Sequence, residues 1–239
     1  MRRVGILGGM GPEATVLILQ KLLAAVPAQD DADHIPVIVD QNPQVPSRIR
    51  HLLEGSGPDP APVLAEMARR LVAGGAEALA MPCNTAHHYA PAIRAAVTVP
   101  FLDMIALSVR HARALVPQGQ SAIGILASPA VQKVGLFDAA LAKEGLTAFY
   151  PSTPEAMLAA IRQIKAQGPS AAARQALRDA SQELRARGAL VQMIACTEFS
   201  LIAEAVATDI VAFDTLDLLV TAIVKFAQTN GAEEEQAAS

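Results

Sequence analysis

Residues 71–83, LVAGGAEALAMPC, and residues 184–196, LRARGALVQMIAC, are two copies of one segment that lie 113 positions apart. Each copy passes from a helix-forming stretch through glycine into an apolar run, and each ends on a cysteine. The other paired runs are VGIL (4–7) with IGIL (123–126) and VPFLD (99–103) with IVAFD (210–214). A repeat of more than about 100 residues is too large for a solenoid unit, so it predicts two similar halves related by approximate twofold symmetry.

Short apolar runs alternate with longer helical stretches along the chain. The runs are continuous rather than alternating in polarity, which is typical of parallel strands covered on both faces. The predicted strands are Val4–Leu7, Pro36–Asp40, Ala78–Met81, Val99–Asp103, Ser121–Ala127, Thr147–Tyr150, Leu190–Ala195 and Ile210–Asp214. This order predicts an α/β fold with two pseudo-symmetric three-layer domains, mainly parallel sheets, and an active site in the cleft between them.

The repeat also gives the expected domain boundaries. Residues 1–114, together with about 208–230, are expected to form the first α/β domain, and residues 115–207 the second. Residues 231–239, GAEEEQAAS, are acidic and small, and this tail is expected to be disordered.

Composition argues against several classes of protein. The 239 residues carry a formal net charge of −4 without a basic block, so a nucleic-acid partner is not expected. No apolar run reaches the roughly 18 residues that span a bilayer, and the apolar stretch behind Met1-Arg2-Arg3 is too short for a signal peptide. The sequence therefore predicts a cytoplasmic protein without a membrane partner, in which Cys83 and Cys196 are free thiols.

Both cysteines fall where a predicted strand gives way to a helix. Asn84 and Thr85 follow Cys83, and Thr197 follows Cys196; these are residue types that cap helices. Free backbone N–H groups and the helix dipole at such a junction are expected to stabilise a thiolate and lower its pKa. Each cysteine could instead be a small buried apolar residue, but their equivalence under the repeat favours a shared chemical role.

Two thiols on opposite sides of a cleft suit racemisation. One group removes the α-proton from one face and the other returns a proton to the opposite face, with the roles exchanged in the reverse direction. Backbone donors at the two helix starts would stabilise the charge that develops on the substrate carboxylate. Arg48 could grip a carboxylate through two parallel hydrogen bonds, although nothing local distinguishes it, or Lys165, from a surface charge.

Two other functions of these motifs stay open. Residues 9–14, GMGPEA, match a variant of the dinucleotide-binding fingerprint with Asp40 as the ribose acid, but glycine-rich first turns are common in α/β proteins. Cys83 and His87 are four residues apart and could bind a metal on one helix face. No second ligand pair has the expected spacing, so no metal is expected.

Four motifs between residue 8 and residue 198 form a specific combination. They are Gly8-Gly9-Met10-Gly11-Pro12-x-Ala14-Thr15, Asn42-Pro43-Gln44-x-Pro46-x-Arg48, Met81-Pro82-Cys83-Asn84-Thr85-Ala86-His87 and Cys196-Thr197-Glu198. The combination resembles the aspartate/glutamate racemase family, and its aspartate racemase branch in particular. The resemblance implies two pseudo-symmetric α/β domains, racemisation of a small acidic amino acid without a cofactor, and a homodimer.

The resemblance also implies roles for individual residues. By match to the family motifs, Cys83 and Cys196 would be the catalytic pair. The α-carboxylate and α-amino end of the substrate would be lined by Met10, Asn84, Thr85 and Thr197. The side-chain carboxylate would be received by Arg48 and Lys165, and Asn42 and Glu198 complete the expected substrate contacts.

Three departures from the family pattern bear on the substrate. A Thr-Gly-Thr turn is replaced by Ser128-Pro129-Ala130, an acidic residue after Met104-Ile105 is replaced by Ala106, and a glycine before the second cysteine is replaced by Ala195. Both thiols remain, so the sequence predicts an aspartate racemase. The alternatives are a cis–trans isomerase or decarboxylase of a small dicarboxylic acid, and a non-catalytic protein that binds a dicarboxylate or a dinucleotide.

Overall fold

Each half of the chain forms one sheet of four parallel strands in the computed structural model, which describes residues 1–229. The strands are β1 (Val4–Gly8), β2 (Val37–Gln41), β3 (Ala78–Ala80), β4 (Phe101–Leu102), β5 (Ala122–Ala127), β6 (Thr147–Phe149), β7 (Val191–Ala195) and β8 (Val211–Asp214). The first sheet has the order β2-β1-β3-β4 and the second the order β6-β5-β7-β8. The predicted α/β fold with two parallel-sheet domains is therefore confirmed, and every predicted strand is present with ends that differ by at most two residues.

The inner strands are buried, whereas the edge strands reach the surface. Every residue of β1 and of β7 is buried, while no residue of the edge strand β2 is fully buried. β1 pairs with β2 on one side and with β3 on the other, so that Val4 lies opposite both Val37 and Ala78. Helices cover both faces of each sheet, which explains why the inner strands are continuous apolar runs.

Ten α-helices lie in the described part of the chain. They are α1 (Pro12–Ala25), α2 (Ala61–Ala73), α3 (Ala90–Ala96), α4 (Met104–Leu115), α5 (Pro129–Lys133), α6 (Asp138–Lys143), α7 (Pro154–Gln167), α8 (Ala171–Ala186), α9 (Thr197–Ser200) and α10 (Thr215–Gln228). Shorter helical turns cover Asp31–Asp33, Ile49–Leu53, Thr85–Tyr89 and Ala203–Ala205. Among residues 1–229, no helix is both long and apolar enough to cross a bilayer.

The two halves exchange their last helices. α4 follows the first sheet, yet Ile105 and Val109 pack with Met193 in the core of the second sheet. α10 follows the second sheet, yet Leu219 and Ile223 pack in the cluster that also contains β1 of the first sheet. The exchange buries apolar side chains of each half in the core of the other, so the halves are held together by core packing as well as by surface contacts.

The boundary expected near residue 208 differs from the arrangement of the strands. β8 pairs with β7 in the second sheet, whereas the sequence assigned residues from about 208 onward to the first domain. α4, which lies within the predicted first domain, packs on the second sheet. We propose a first domain of residues 1–103 with 215–228 and a second of residues 104–214. The predicted disordered tail, 231–239, lies outside the described residues.

A tight turn after β1 requires glycine. Gly9 has a φ of +89°, and a Cβ atom there would lie 2.4 Å from the backbone carbon of Asn42. The N–H of Gly9 donates to the hydroxyl of Thr15 at 2.9 Å, and the N–H of Asn42 donates to the carbonyl of Gly8 at 3.3 Å. The turns after β1 and β2 therefore pack backbone against backbone, which is possible only without a side chain at residue 9.

Replacing Gly9 by alanine is expected to lower the free energy of unfolding by about 3 kcal/mol, because left-handed strain adds to a clash with backbone. Gly145→Ala is the matched control, since Gly145 has a φ of +70° but no atom within 4 Å of the added carbon. It should cost only about 1 kcal/mol. Urea denaturation measures both, and equal losses would contradict the close approach at Gly9.

Candidate active site

A cavity of about 340 Å³ lies between the two halves. It is reached by the turns that follow β1, β3, β5 and β7, the carboxyl ends of the inner strands of both sheets. The lining residues are Met10, Ser47, Arg48, Ile49, Arg50, Glu54, Cys83, Thr85, Ser128, Ile161, Arg162, Lys165, Cys196 and Glu198. Open α/β sheets commonly bind ligands at this end of the strands, and here the two ends face one another.

Both cysteines line this cavity from equivalent positions. Cys83 follows β3 and Cys196 follows β7; both are free thiols, and their residues are 6% and 5% exposed. A short helical turn, Thr85–Tyr89, begins two residues after Cys83, and Cys196 is the N-cap of α9. The strand-to-helix junctions predicted around the two thiols are therefore present.

Glu198 joins the Cys196 thiol to a cation. The thiol of Cys196 donates to Oε2 of Glu198 at 3.0 Å, and Oε1 of Glu198 accepts a hydrogen bond from the ammonium of Lys165. Burial is the strongest single influence and lowers the pKa of Lys165, but the charge of Glu198, its hydrogen bond and the two nearby cysteines together outweigh burial, so the pKa of Lys165 is raised. The three side chains form a chain of hydrogen bonds along the second-half wall of the cavity.

The pKa of Cys196 moves in the direction opposite to the sequence expectation. Burial and the adjacent Glu198 carboxylate raise the pKa of Cys196 well above its usual value. The charge of Lys165 and the backbone N–H of Glu198 act in the expected, lowering direction but are weaker. Cys196 is therefore held as a thiol, because the helix start that was expected to stabilise a thiolate also carries an acidic side chain.

Cations outnumber acids around the cavity. Four lining side chains are basic (Arg48, Arg50, Arg162 and Lys165) and two are acidic (Glu54 and Glu198). Arg48 donates to the backbone carbonyls of Val45 at 3.3 Å and Pro46 at 3.1 Å. An excess of positive charge in a confined space favours an anionic ligand.

Contacts across the cleft come from both of its walls. The hydroxyls of Thr85 and Ser128 lie 3.1 Å apart, and Arg162 of α7 forms a 3.0 Å ion pair with Glu54. Ser128 opens the Ser-Pro-Ala turn that departs from the family pattern. Its hydroxyl faces a predicted substrate-binding residue, so this turn still supplies one hydroxyl to the cavity.

Three of the predicted substrate-binding residues are not among the residues that line the cavity. Asn42 accepts a bond from the N–H of Gln44 at 3.0 Å, which closes its own turn. The amide of Asn84 donates to the hydroxyl of Thr215 at 3.0 Å, and Thr197 is 1% exposed at the start of α9. The side chains of Asn42 and Asn84 are therefore bonded to other groups of the protein, and that of Thr197 is packed at the start of α9.

Sequence reasoning missed several lining residues. Ser47 is the unspecified position just before Arg48 in its motif, and Ile49, Arg50 and Glu54 follow that motif. Ile161 and Arg162 precede Lys165 by one helical turn. Their spacing to predicted site residues was the available signal, because neighbours one turn apart share a helix face. Which face of α7 meets the cleft is decided by packing between the halves.

The residues that suggested dinucleotide binding or metal binding have other partners in the structure. The carboxylate of Asp40 accepts from Arg70 at 2.6 and 3.1 Å, so it is already engaged on the surface of the first half. Both ring nitrogens of His87 bond backbone groups. Within residues 1–229, no three His, Cys, Asp or Glu side chains are grouped so that they could hold a metal ion.

The fold and the cavity define a two-domain α/β enzyme with one thiol on each side of a cationic cleft. A family model described as Asp/Glu/Hydantoin racemase matches residues 7–223. The chain therefore belongs to that family, and it is a racemase, an enzyme of the isomerase class. The resemblance stated from the motifs is confirmed.

Three solved structures show how far the likeness extends. The Picrophilus torridus aspartate racemase is 25% identical, with a TM-score of 0.84 and 96% of each chain covered. An aspartate racemase homologue from Pyrococcus horikoshii is 19% identical, with a TM-score of 0.74 over 96% of this chain and 100% of the other. A glutamate racemase isoform from Bacillus anthracis is 18% identical, with a TM-score of 0.70 over 96% and 83%. The last two show a shared fold.

Glu198→Gln is expected to make Cys196 react faster with iodoacetamide at pH 8, because it removes the negative charge that raises the pKa of this thiol. Each unit by which the pKa falls gives about a threefold faster reaction, since the gain in thiolate is partly offset by weaker nucleophilicity. Lys165→Met should slow the reaction, because it removes a cation that lowers the same pKa. Mass spectrometry of the labelled peptide measures both rates, and a change in the same direction for both variants would refute this electrostatic account.

Proposed function

We propose that this racemase inverts the α-carbon of aspartate or a close acidic analogue, with Cys83 and Cys196 as the two proton carriers and without a cofactor. The observation that supports the proposal most is that two thiols at equivalent repeat positions line one cavity and are not bonded to each other. The similarity to the Picrophilus torridus aspartate racemase supports the choice of substrate. The excess of cations around the cavity agrees with a substrate that carries two carboxylates.

In one direction Cys83 acts as the base and Cys196 as the acid. The Cys83 thiolate takes the α-proton, and the electron pair of the broken C–H bond moves into the substrate carboxylate. The Cys196 thiol then gives its proton to the opposite face of the same carbon, which leaves Cys83 as a thiol and Cys196 as a thiolate. The reverse direction uses the same groups with exchanged roles, as microscopic reversibility requires.

Glu198 and Lys165 set the protonation of the Cys196 side. A carboxylate 3.0 Å from the sulfur disfavours a second negative charge there, so it keeps Cys196 as the acid before turnover. Lys165 limits this effect once Cys196 becomes a thiolate, because its charge acts on the same sulfur. We place the side-chain carboxylate of the substrate near Arg48 and Lys165. The homodimer and the cytoplasmic location stay predictions from the sequence.

Chiral chromatography of L-aspartate, L-glutamate and L-alanine, each incubated with the protein and a chelator, tests this function. We expect the D-enantiomer to form most rapidly from aspartate, together with exchange of the α-proton in deuterium oxide. Cys83→Ala and Cys196→Ala should each lower racemisation by at least about a hundredfold, since each removes one of two required proton carriers.

A single-cysteine variant can still exchange the α-proton without inverting the carbon. Conversion of a dicarboxylic acid without α-proton exchange would favour the cis–trans isomerase or decarboxylase alternative. Full racemisation by either cysteine variant would end the two-base mechanism.

Arg48→Met is expected to raise the KM for aspartate by about 10- to 150-fold, because a charge-assisted contact to a buried carboxylate contributes roughly 1.5–3 kcal/mol. The KM for alanine, which has no side-chain carboxylate, should change much less. Arg110→Met serves as the control, since Arg110 lines a separate groove between α4 and α10. An equal rise for both amino acids would show that Arg48 does not recognise the side chain.

A further inference from the structure

The imidazole of His87 connects the Cys83 turn to the start of α4. Its Nδ1 lies 2.8 Å from the carbonyl oxygen of Cys83, and the backbone N–H of Met104 donates to its Nε2 at 3.2 Å. A carbonyl only accepts and an N–H only donates, so the ring must be neutral with its proton on Nδ1. The residue is 4% exposed and does not line the cavity.

In the second half, backbone groups alone bond the carbonyl of the equivalent cysteine. The carbonyl of Cys196 accepts from the N–H groups of Phe199 at 2.9 Å and Ser200 at 3.2 Å, because α9 begins there. After Cys83 the chain forms a tighter turn in which the N–H of His87 bonds the carbonyl of Asn84. A side chain, rather than helical backbone, therefore holds the carbonyl of Cys83.

We propose that His87 is a positioning residue for Cys83: the Nδ1–H of its neutral ring holds the carbonyl of this thiol's peptide, and the N–H of Met104 keeps the ring in that tautomer. This inference rests on the proposed role of Cys83 in racemisation. Holding the carbonyl also fixes the direction of the next N–H, that of Asn84, because the two groups of a trans peptide point in opposite directions.

The second bond of His87 comes from the start of α4. The N–H that bonds His87 belongs to Met104, the first residue of α4, and α4 is packed in the core of the second sheet. Position 200, the repeat equivalent of His87, is Ser200, whose hydroxyl donates to Asp214 at the start of α10 at 2.9 Å.

The surroundings keep this imidazole neutral at physiological pH. Burial lowers the pKa of His87 below 6.5; Asp103 at the N-terminus of α4 acts to raise it, and Arg94 of α3 acts to lower it. The ring of Phe101 in β4 packs at 5.3 Å between centroids and carries no charge. The neutral ring contributes stability above about pH 6.5, and this contribution is lost as pH falls through the lowered pKa.

Two substitutions separate the two bonds of His87. Asparagine places an amide nitrogen near the position of Nδ1 and keeps the donor to Cys83, whereas glutamine reaches the position of Nε2 and keeps an acceptor for Met104. We expect His87→Gln to lower kcat for racemisation by about 10- to 100-fold with KM within about twofold. His87→Asn should keep kcat within about threefold of the wild-type value.

Alkylation of Cys83 gives a readout that does not depend on racemisation. The rate at which Cys83 reacts with iodoacetamide, measured by mass spectrometry at one pH, should change in His87→Gln. In His87→Asn it should remain near the rate of the wild-type protein. The same pair of changes at the exposed neighbour His88 is the control and should alter neither readout. Thermal unfolding identifies any variant that has lost its fold.

Two results would overturn the inference. One is an equal kcat and an equal Cys83 alkylation rate in both His87 variants; the other is a larger loss in His87→Asn than in His87→Gln. If the wild-type protein racemises no amino acid, the proposed function fails. The alkylation rates still decide whether His87 positions Cys83.

Discussion

The exchange of α4 and α10 between the two sheets is the constraint on which the site depends. Each helix starts beside the cysteine turn of its own half and is buried against the other half. Asp103 caps α4 by accepting from two backbone N–H groups at 2.9 and 3.1 Å, and Asp214 caps α10 by accepting from the N–H of Leu216 at 2.8 Å. These aspartates occupy matching places in the repeat, so the same device fixes both walls of the cleft.

A symmetric frame carries an asymmetric pair of thiols. The carbonyl of Cys83 is bonded by an imidazole, whereas the thiol of Cys196 donates a hydrogen bond to the carboxylate of Glu198. The proposed two-base mechanism needs such a difference, since one sulfur must be charged while the other is protonated. Because position 85 is threonine where its repeat equivalent, position 198, is glutamate, the acidic neighbour exists on only one side. The repeat therefore supplies the geometry, and its divergence places an acidic side chain beside Cys196 alone.

The sequence specified the candidate site unevenly. Cys83 and Cys196 were predicted from the repeat to face the cleft, and both line the cavity, as does Thr85, which the family motifs assigned to the substrate. Asn42, Asn84 and Thr197 were assigned to the substrate through the family motifs, but their side chains bond or pack within the loops. A match to a family motif does not tell whether a residue contacts the ligand or supports the loop that contacts the ligand.

What the sequence by itself determined is the architecture and the matched placement of the two thiols: continuous apolar strands predict parallel sheets, and a repeat ending in cysteine predicts two equivalent thiols. Only the tertiary structure decided that β8 stays in the second sheet while α10 crosses to the first, because that choice depends on which apolar surface each helix buries. The raised pKa of Cys196 was likewise decided by folding. Glu198 is only two residues from Cys196 along the chain, but the burial of the thiol and the direction in which the carboxylate points are set by packing, and these determine the energy of a charge there.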